Sequence, residues 1–200
     1  MALQTLRDGL YTSDSRRRAP TRLSAVPPRW QALRMAQPTS TTQRQLVLLR
    51  HAKSAWPDGV PDPQRPLNDR GRRDAGAAGR WLRDHVGDLA AVACSTAART
   101  RQTWELVSAE LTDPPTAGFD ERIYAASLDE LLAVVHDLPD TAGSALMIGH
   151  NPGMEELVEL LSGTEQGMST AALAVLTWEG GWTDADAGIA QLSEHAAPRG

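Results

Sequence analysis

The chain has one cysteine among its 200 residues and no apolar run long enough to cross a membrane. A single cysteine excludes a disulfide within the chain, which suits a reducing compartment and leads us to expect a cytoplasmic protein. The longest apolar runs, such as residues 89–94, are far shorter than the roughly 18 residues that a membrane helix needs. We therefore expect no membrane partner.

Basic residues are scarce outside the first 44 positions. Residues 1–44 contain eight arginines and two aspartates, whereas the other residues carry 12 basic and 23 acidic side chains. A nucleic-acid surface needs a basic face, so this acidic body argues against a nucleic-acid partner. The 41% hydrophobic share and the length of 200 residues are sufficient for one domain with a buried core.

Residues 1–44 lack a sustained apolar period and are rich in Arg, Ser, Thr and Pro. This composition predicts a disordered basic arm, and the absence of an apolar h-region argues against a secretory signal. The composition of the arm also resembles that of an organellar transit peptide. Translation from Met35 is an equally good interpretation of this segment. We assign the folded domain to residues 45–195.

Short apolar runs alternate with helical periodicity through this domain. Strands are predicted at residues 46–49, 89–94, 145–149, 171–178 and 189–192. Helices are predicted from residue 68 or 69, over 98–110, around 128–135 and after Asn151, with Asn151 as N-cap and Pro152 at the first helical position. The alternation predicts an α/β fold, a three-layer sandwich with a mostly parallel central sheet flanked by helices.

Two of the predicted strands end on a histidine. One apolar run leads into Arg50 and His51, and another leads through Gly149 into His150. Strand ends at a sheet edge are where α/β proteins tend to bind their ligands. A surface ion pair and a histidine in a capping loop would explain each motif taken alone, but together they suggest one site with two imidazoles.

A third motif, Ser95 to Thr103, follows a strand and opens a helix, a position that suits anion binding. Arg99 falls in the first turn of that helix, where the helix dipole disfavours a cation. An arginine at this place indicates an anionic partner, although a solvated helix residue is the simpler alternative.

Together these motifs resemble the histidine phosphatase superfamily, with its phosphoglycerate mutase-like fold, and within it the SixA-type phosphohistidine phosphatases. The resemblance extends from about Gln45 to Leu176, and its motifs occur in the family's order. The matching segments are residues 49–54, 65–71, 95–103, 123–127, 149–153 and 169–172.

The resemblance implies that His51 is the nucleophile and forms a phosphohistidine intermediate. A neutral imidazole suits this role, because its ordinary pKa near 6.5 leaves it largely available at pH 7. Arg50, Arg99 and His150 are then expected to hold the phosphoryl oxygens, with Lys53 and Asn151 as further substrate-binding residues (Asn151 stands where the acid phosphatase branch has an Asp). No metal and no cofactor are implied, since the pocket itself supplies the positive charge.

The general acid is the least defined part of the pattern. Glu121 is the candidate, although a purely structural role is equally open. Weak acid assistance suits a labile phosphorus–nitrogen bond, which favours phosphohistidine or another activated phosphate over an alkyl ester. The expected partner is a phosphorylated protein, such as a histidine-phosphotransfer domain, or a small phosphorylated metabolite, and we expect a monomer.

Three alternatives remain from other classes. Cys94 and Arg99 invite comparison with cysteine-based tyrosine phosphatases, but only four residues separate them where five are needed, and a lone buried cysteine usually acts as a small hydrophobe. A small-molecule phosphomonoesterase or phosphoglycerate mutase-like enzyme would use the same pocket. A phosphate-binding module without activity is the non-enzymatic alternative.

Overall fold

The computed structural model describes residues 42–200. The predicted arm and the alternative start at Met35 lie outside these residues, except at the arm's last positions. Gln43 and Arg44 open the first strand instead, because Gln43 pairs with Glu179 in the sheet. Arg44 is buried, and its guanidinium donates to the carbonyls of Asp140 (3.0 Å) and Ala142 (2.7 Å).

Strands and helices alternate through most of the described chain. Their order is β1 (Gln43–Arg50), α1 (Asp69–His85), β2 (Ala91–Ser95), α2 (Ala98–Ser108), β3 (Ala117–Asp120), α3 (Leu128–His136), β4 (Ser144–Gly149), α4 (Gly153–Ser162), β5 (Leu173–Glu179) and β6 (Gln191–Ala196). Short 3₁₀ turns lie at Asp62–Gln64, Glu121–Ile123 and Trp182–Asp184. Between residues 42 and 200, no helix is long and apolar enough to span a bilayer.

The six strands form one sheet in the order β3-β2-β4-β1-β5-β6. Strands β3, β2, β4 and β1 are parallel to one another. Strand β5 pairs antiparallel with β1, and β6 pairs antiparallel with β5. The predicted mostly parallel sheet is therefore confirmed. Strand β3 was not predicted, because this edge strand is four residues long and partly exposed, so it carries no apolar run.

The side chains of β1 alternate between two apolar layers. Leu46 and Leu48 pack on one face of the sheet with residues of α3 and α4, whereas Val47 and Leu49 pack on the other with residues of α1 and α2. Successive residues of a strand point to opposite faces, so a strand buried on both sides must be apolar throughout. This arrangement confirms the three-layer sandwich.

The sheet brings the two histidines to the same edge. Strands β1 and β4 are parallel neighbours, with Arg50 opposite Gly149, so both chains leave the sheet at the same level. The backbone N–H of His51 continues the ladder by donating to the Gly149 carbonyl at 3.0 Å. His51 and His150 therefore enter the crevice beyond the carboxyl ends of the parallel strands.

The start of α4 differs from the prediction. The helix begins at Gly153 and its N-cap is Pro152. Both the N-cap and the first helical residue therefore lie one position later than predicted. Asn151 does not cap the helix: its Oδ1 accepts no hydrogen bond among residues 42–200, and its Nδ2 donates to the Met168 carbonyl at 3.0 Å.

Helix α1 packs unusually close to the backbone that follows β1. Its N-cap Asn68 accepts a hydrogen bond from the Gly71 N–H at 2.8 Å, and a Cβ at Gly71 would overlap the carbonyl of Lys53. A Cβ at Gly76, in the same helix, would meet only ordinary contacts at 3.5 Å. Glycine is thus required at the first position and not at the second.

We expect Gly71→Ala to lower the free energy of unfolding by about 1–3 kcal/mol, because the backbone clash outweighs the helix propensity of alanine. The control Gly76→Ala should raise it by up to about 1 kcal/mol, since alanine is the better helix former. Urea unfolding followed by circular dichroism measures both. A Gly71→Ala protein as stable as the wild type would contradict this packing argument.

Candidate active site

Four side chains from two strand ends and one helix meet at this edge of the sheet. The rings of His51 and His150 lie 5.0 Å apart between centroids. Arg99 reaches both rings, with its Nε 3.3 Å from Nε2 of His51 and an amino nitrogen 3.2 Å from Nδ1 of His150. Arg50, His51 and Arg99 together line a cavity of about 160 Å³.

The hydrogen bonds of His51 define which ring nitrogen carries the proton and which holds the lone pair. Its Nδ1 lies 2.7 Å from the Ala52 carbonyl, which can only accept, so Nδ1 carries the proton. Its Nε2 faces the Nε–H of Arg99, which can only donate, so Nε2 holds a lone pair. The lone pair on Nε2 therefore points toward the arginine that lines the cavity.

Burial keeps the His51 ring neutral. Desolvation lowers its pKa to about 4, and the positive charges of Arg99, Arg50 and Arg65 act in the same direction. The hydrogen bond to the Ala52 carbonyl opposes this shift without cancelling it. At neutral pH the imidazole therefore retains its lone pair.

His150 has the opposite tautomer. Its Nδ1 accepts from Arg99, so its Nε2 carries the proton and donates to Oγ of Ser95 at 2.8 Å. Desolvation lowers its pKa to about 3, and the neighbouring His51 adds to the shift. Ser95, at the end of β2, thus orients the second histidine.

Arg99 lies in the first turn of α2 and is 7% exposed, so its charge needs a partner. That partner is Asp62, whose carboxylate lies 3.1 Å from one amino nitrogen and whose backbone carbonyl accepts from the other at 2.8 Å. The chain itself therefore supplies an anionic partner for Arg99.

Asp62 is the main site residue that sequence reasoning missed. It accepts from Tyr124 and Arg65, both at 2.7 Å, as well as from Arg99. The Tyr124 hydrogen bond, together with the arginines, lowers its pKa to about 2. Its only sequence signal is a carboxylate three residues before Arg65 in a proline-rich loop, which no periodicity distinguishes.

Arg50 and Asn151 meet at the carbonyl of Met168. Arg50 donates to it at 2.7 Å and Asn151 at 3.0 Å, while the Met168 N–H donates to Glu155 at 2.7 Å. The buried Nε of Arg50 has no hydrogen-bond partner among residues 42–200. Burial lowers the pKa of Arg50, and its guanidinium keeps donors available for an anion.

The other predicted residues are placed less centrally. Lys53 is exposed and lines the cavity. Glu121 is exposed on its 3₁₀ turn, and within the described part of the chain its side chain makes no hydrogen bond or ion pair. Cys94 is buried, and desolvation raises the pKa of its thiol to about 12, which is unsuitable for a thiolate nucleophile.

The arrangement combines a neutral imidazole with several guanidinium groups around a small cavity. Guanidinium groups bind tetrahedral oxyanions through paired N–H donors, and the His51 lone pair provides a nucleophile beside them. Over residues 42–200, the His, Cys, Asp and Glu side chains form no group of three or more that could hold a metal ion. The site therefore suits attack on a phosphoryl group.

Comparisons with known proteins agree with this geometry. The family model of the histidine phosphatase superfamily (branch 1) matches residues 46–131. An uncharacterized protein of Mycobacterium tuberculosis, Rv1276c, is 38% identical over 162 residues, which span 76% of this chain and all of the relative.

Solved structures of SixA proteins are similar along almost their full length. A protein from Nakamurella multipartitia, assigned as the phosphohistidine phosphatase SixA, is 34% identical with a TM-score of 0.70, covering 78% of this chain and 96% of its own. The protein histidine phosphatase SixA complexed with tungstate is 25% identical with a TM-score of 0.68, covering 77% and 97%. The chain therefore belongs to the histidine phosphatase superfamily, in its SixA-type branch, and is a phosphatase that works through a histidine intermediate.

Proposed function

We propose that the enzyme hydrolyses phosphohistidine in proteins, with Nε2 of His51 as the nucleophile. Arg50, Arg99 and His150 hold the phosphoryl oxygens in this proposal, and Lys53 contributes a positive charge at the rim. The complex of SixA with tungstate, an oxyanion that resembles phosphate, supports an oxyanion site in this fold. The cellular setting we propose is the cytoplasm, where thiols are kept reduced and a single unpaired cysteine is common.

The first step transfers the phosphoryl group to His51. The Nε2 lone pair attacks phosphorus while the bond from phosphorus to the substrate nitrogen breaks. The substrate imidazole leaves as a neutral ring when its other nitrogen already carries a proton. The Nδ1–H of His51 remains bonded to the Ala52 carbonyl, which stabilises the positive charge that develops on the ring.

The second step returns His51 to its starting state. Water attacks phosphorus, inorganic phosphate departs, and His51 leaves as a neutral imidazole because Nδ1 has kept its proton. The hydrogen bond to Ala52 thus serves both steps, because it keeps the proton on Nδ1, which leaves the lone pair on Nε2 and later makes the neutral ring a good leaving group.

The Asp62 carboxylate and the phosphoryl group compete for the same donor of Arg99. A phosphoryl group that binds Arg99 must displace the Asp62 carboxylate from the amino nitrogen that it now contacts at 3.1 Å. The Asp62 carboxylate is exposed and keeps Tyr124 and Arg65 as partners after this exchange, so it is not left without a hydrogen bond.

The proposed substrate class rests on the carboxylates near the site, since none of the three described there is placed to act as a general acid. Asp62 has a pKa of about 2 and cannot donate a proton at neutral pH. Glu121 is exposed and makes no side-chain contact with the histidines among the described hydrogen bonds, and Glu155 accepts from the Met168 N–H. An alkoxide leaving group needs an acid, whereas a protonated phosphoimidazole does not.

A substrate panel tests this class directly. We expect kcat/KM to be highest for a phosphorylated histidine-phosphotransfer domain, lower for phosphoramidate, and lower by at least about 100-fold for sugar phosphates, since general acid catalysis is worth about 10²–10⁴-fold. Phosphate release is measured for each substrate, with Glu121→Gln as a parallel variant. A preference for alkyl phosphates that Glu121→Gln abolishes would instead identify Glu121 as a working acid.

Removal of the nucleophile should abolish the intermediate. We expect His51→Ala to lose at least ~10³-fold in kcat and to form no acid-labile phosphoenzyme, because the covalent route is then closed. Rapid quench with labelled substrate measures the intermediate. His195→Ala, a change at an exposed histidine of β6, is the matched control and should retain both signals. Equal phosphoenzyme in His51→Ala would assign the nucleophile elsewhere.

The lowered pKa of His51 predicts how its protonation depends on pH. A ring whose pKa is about 4 gains a proton, and loses its nucleophilic lone pair, only as pH falls through that value. We expect ¹H–¹⁵N NMR spectra to show His51 neutral and protonated on Nδ1 from pH 8 down to about 5. A His51 ring that gains a proton between pH 8 and pH 5 would contradict the assigned burial.

A further inference from the structure

Trp56 is the most exposed large apolar side chain near the site, at 76% exposure. It lines the same 160 Å³ cavity as His51 and Arg99. Exposing an indole to this extent forgoes the stabilisation that burial would provide, and nothing in the described fold packs the ring away. Its place at the mouth of the cavity puts it beside any substrate that enters.

The indole is held in place from one side by Arg65. The guanidinium carbon of Arg65 lies 3.1 Å from the ring centroid, in a cation–π contact. All three nitrogens of this guanidinium are bonded, to Ala55, Asp62 and Ser54 at 3.0, 2.7 and 2.6 Å. Arg65 is therefore a fixed platform, and it leaves the indole largely uncovered.

The loop that carries Trp56 is also closed at its base. Ser54 and Leu67 form an antiparallel bridge, and the Ala55 N–H donates to the Pro66 carbonyl at 2.8 Å. The Leu67 N–H is tied to Gln102 of α2 at 2.8 Å. A ring on such a loop loses little conformational entropy when it binds, which favours recognition.

The size of the cavity decides what meets this ring. Pockets that bury small organic ligands measure roughly 300–1,000 Å³. A cavity of about 160 Å³ has room for a phosphoryl group and little else, so the remainder of the substrate must lie outside, against the rim. A protein surface around a phosphorylated side chain fits such an open rim, where a tryptophan is a typical binding hot spot.

We propose that Trp56 contacts the protein surface next to the phosphorylated side chain and so sets the preference for phosphorylated protein over small phosphates. This inference rests on the proposed function. The exposed indole supplies apolar contact area while its ring N–H remains available for a hydrogen bond, a combination suited to a surface that is dry on one side and wet on the other.

The test compares two substrates in one assay, a phosphorylated histidine-phosphotransfer domain and phosphoramidate. We expect Trp56→Ala to lower the ratio of kcat/KM for the protein to kcat/KM for phosphoramidate at least about 10-fold, through KM, whereas Trp56→Phe should restore most of the ratio. Phe119→Ala is the matched control, because Phe119 is 45% exposed and also lies against an arginine, Arg101, at 4.1 Å, but lines no part of the cavity.

The outcomes separate this inference from the proposed function. Equal losses on both substrates in Trp56→Ala would assign the ring a structural role, and an unchanged ratio would show that it makes no contact with the protein, so either result overturns the inference. A similar loss of the ratio in Phe119→Ala would overturn it too. If the wild type fails to dephosphorylate the phosphotransfer domain, the proposed substrate class is wrong, whatever Trp56 does.

Discussion

The guanidinium of Arg99 donates to both histidines of the site and to Asp62, and its charge adds to the desolvation that keeps the two rings neutral. A buried cation in the first turn of a helix is unfavourable unless acceptors surround it. Each histidine provides one only while its ring is neutral, because protonation would remove the lone pair and place a second cation beside Arg99. The contacts of Arg99 therefore favour the neutral form of both rings, in the same direction as their burial.

The parallel part of the sheet makes this contact geometrically available. Strands β2, β4 and β1 are neighbours, so Ser95, His150 and His51 leave the sheet at one edge, and α2 starts there with Arg99. The antiparallel strands β5 and β6 extend the sheet on the other side of β1. The loop before β5 returns to the same edge, where its Met168 carbonyl holds Arg50.

The residues that sequence reasoning could find share a local signature. Arg50, His51 and His150 each follow an apolar run, and Arg99 follows a strand and opens a helix, so strand and helix boundaries mark them. Asp62 and Tyr124 lie in connections whose path depends on distant contacts, and no apolar periodicity marks their positions. The capping role predicted for Asn151 was wrong for the same reason, because its side chain is oriented by the Met168 carbonyl, 17 positions away.

By itself, the sequence determined the layered α/β fold and the strand ends on which the two histidines lie, because buried strands and amphipathic helices are encoded by local patterns of apolar residues. Only the tertiary structure decided the protonation of the site and the partner of Arg99. These depend on burial and on distances of about 3 Å between residues that are far apart in the chain. Hydrogen bonds and desolvation act over such distances in space, and the order of residues along the chain does not record them.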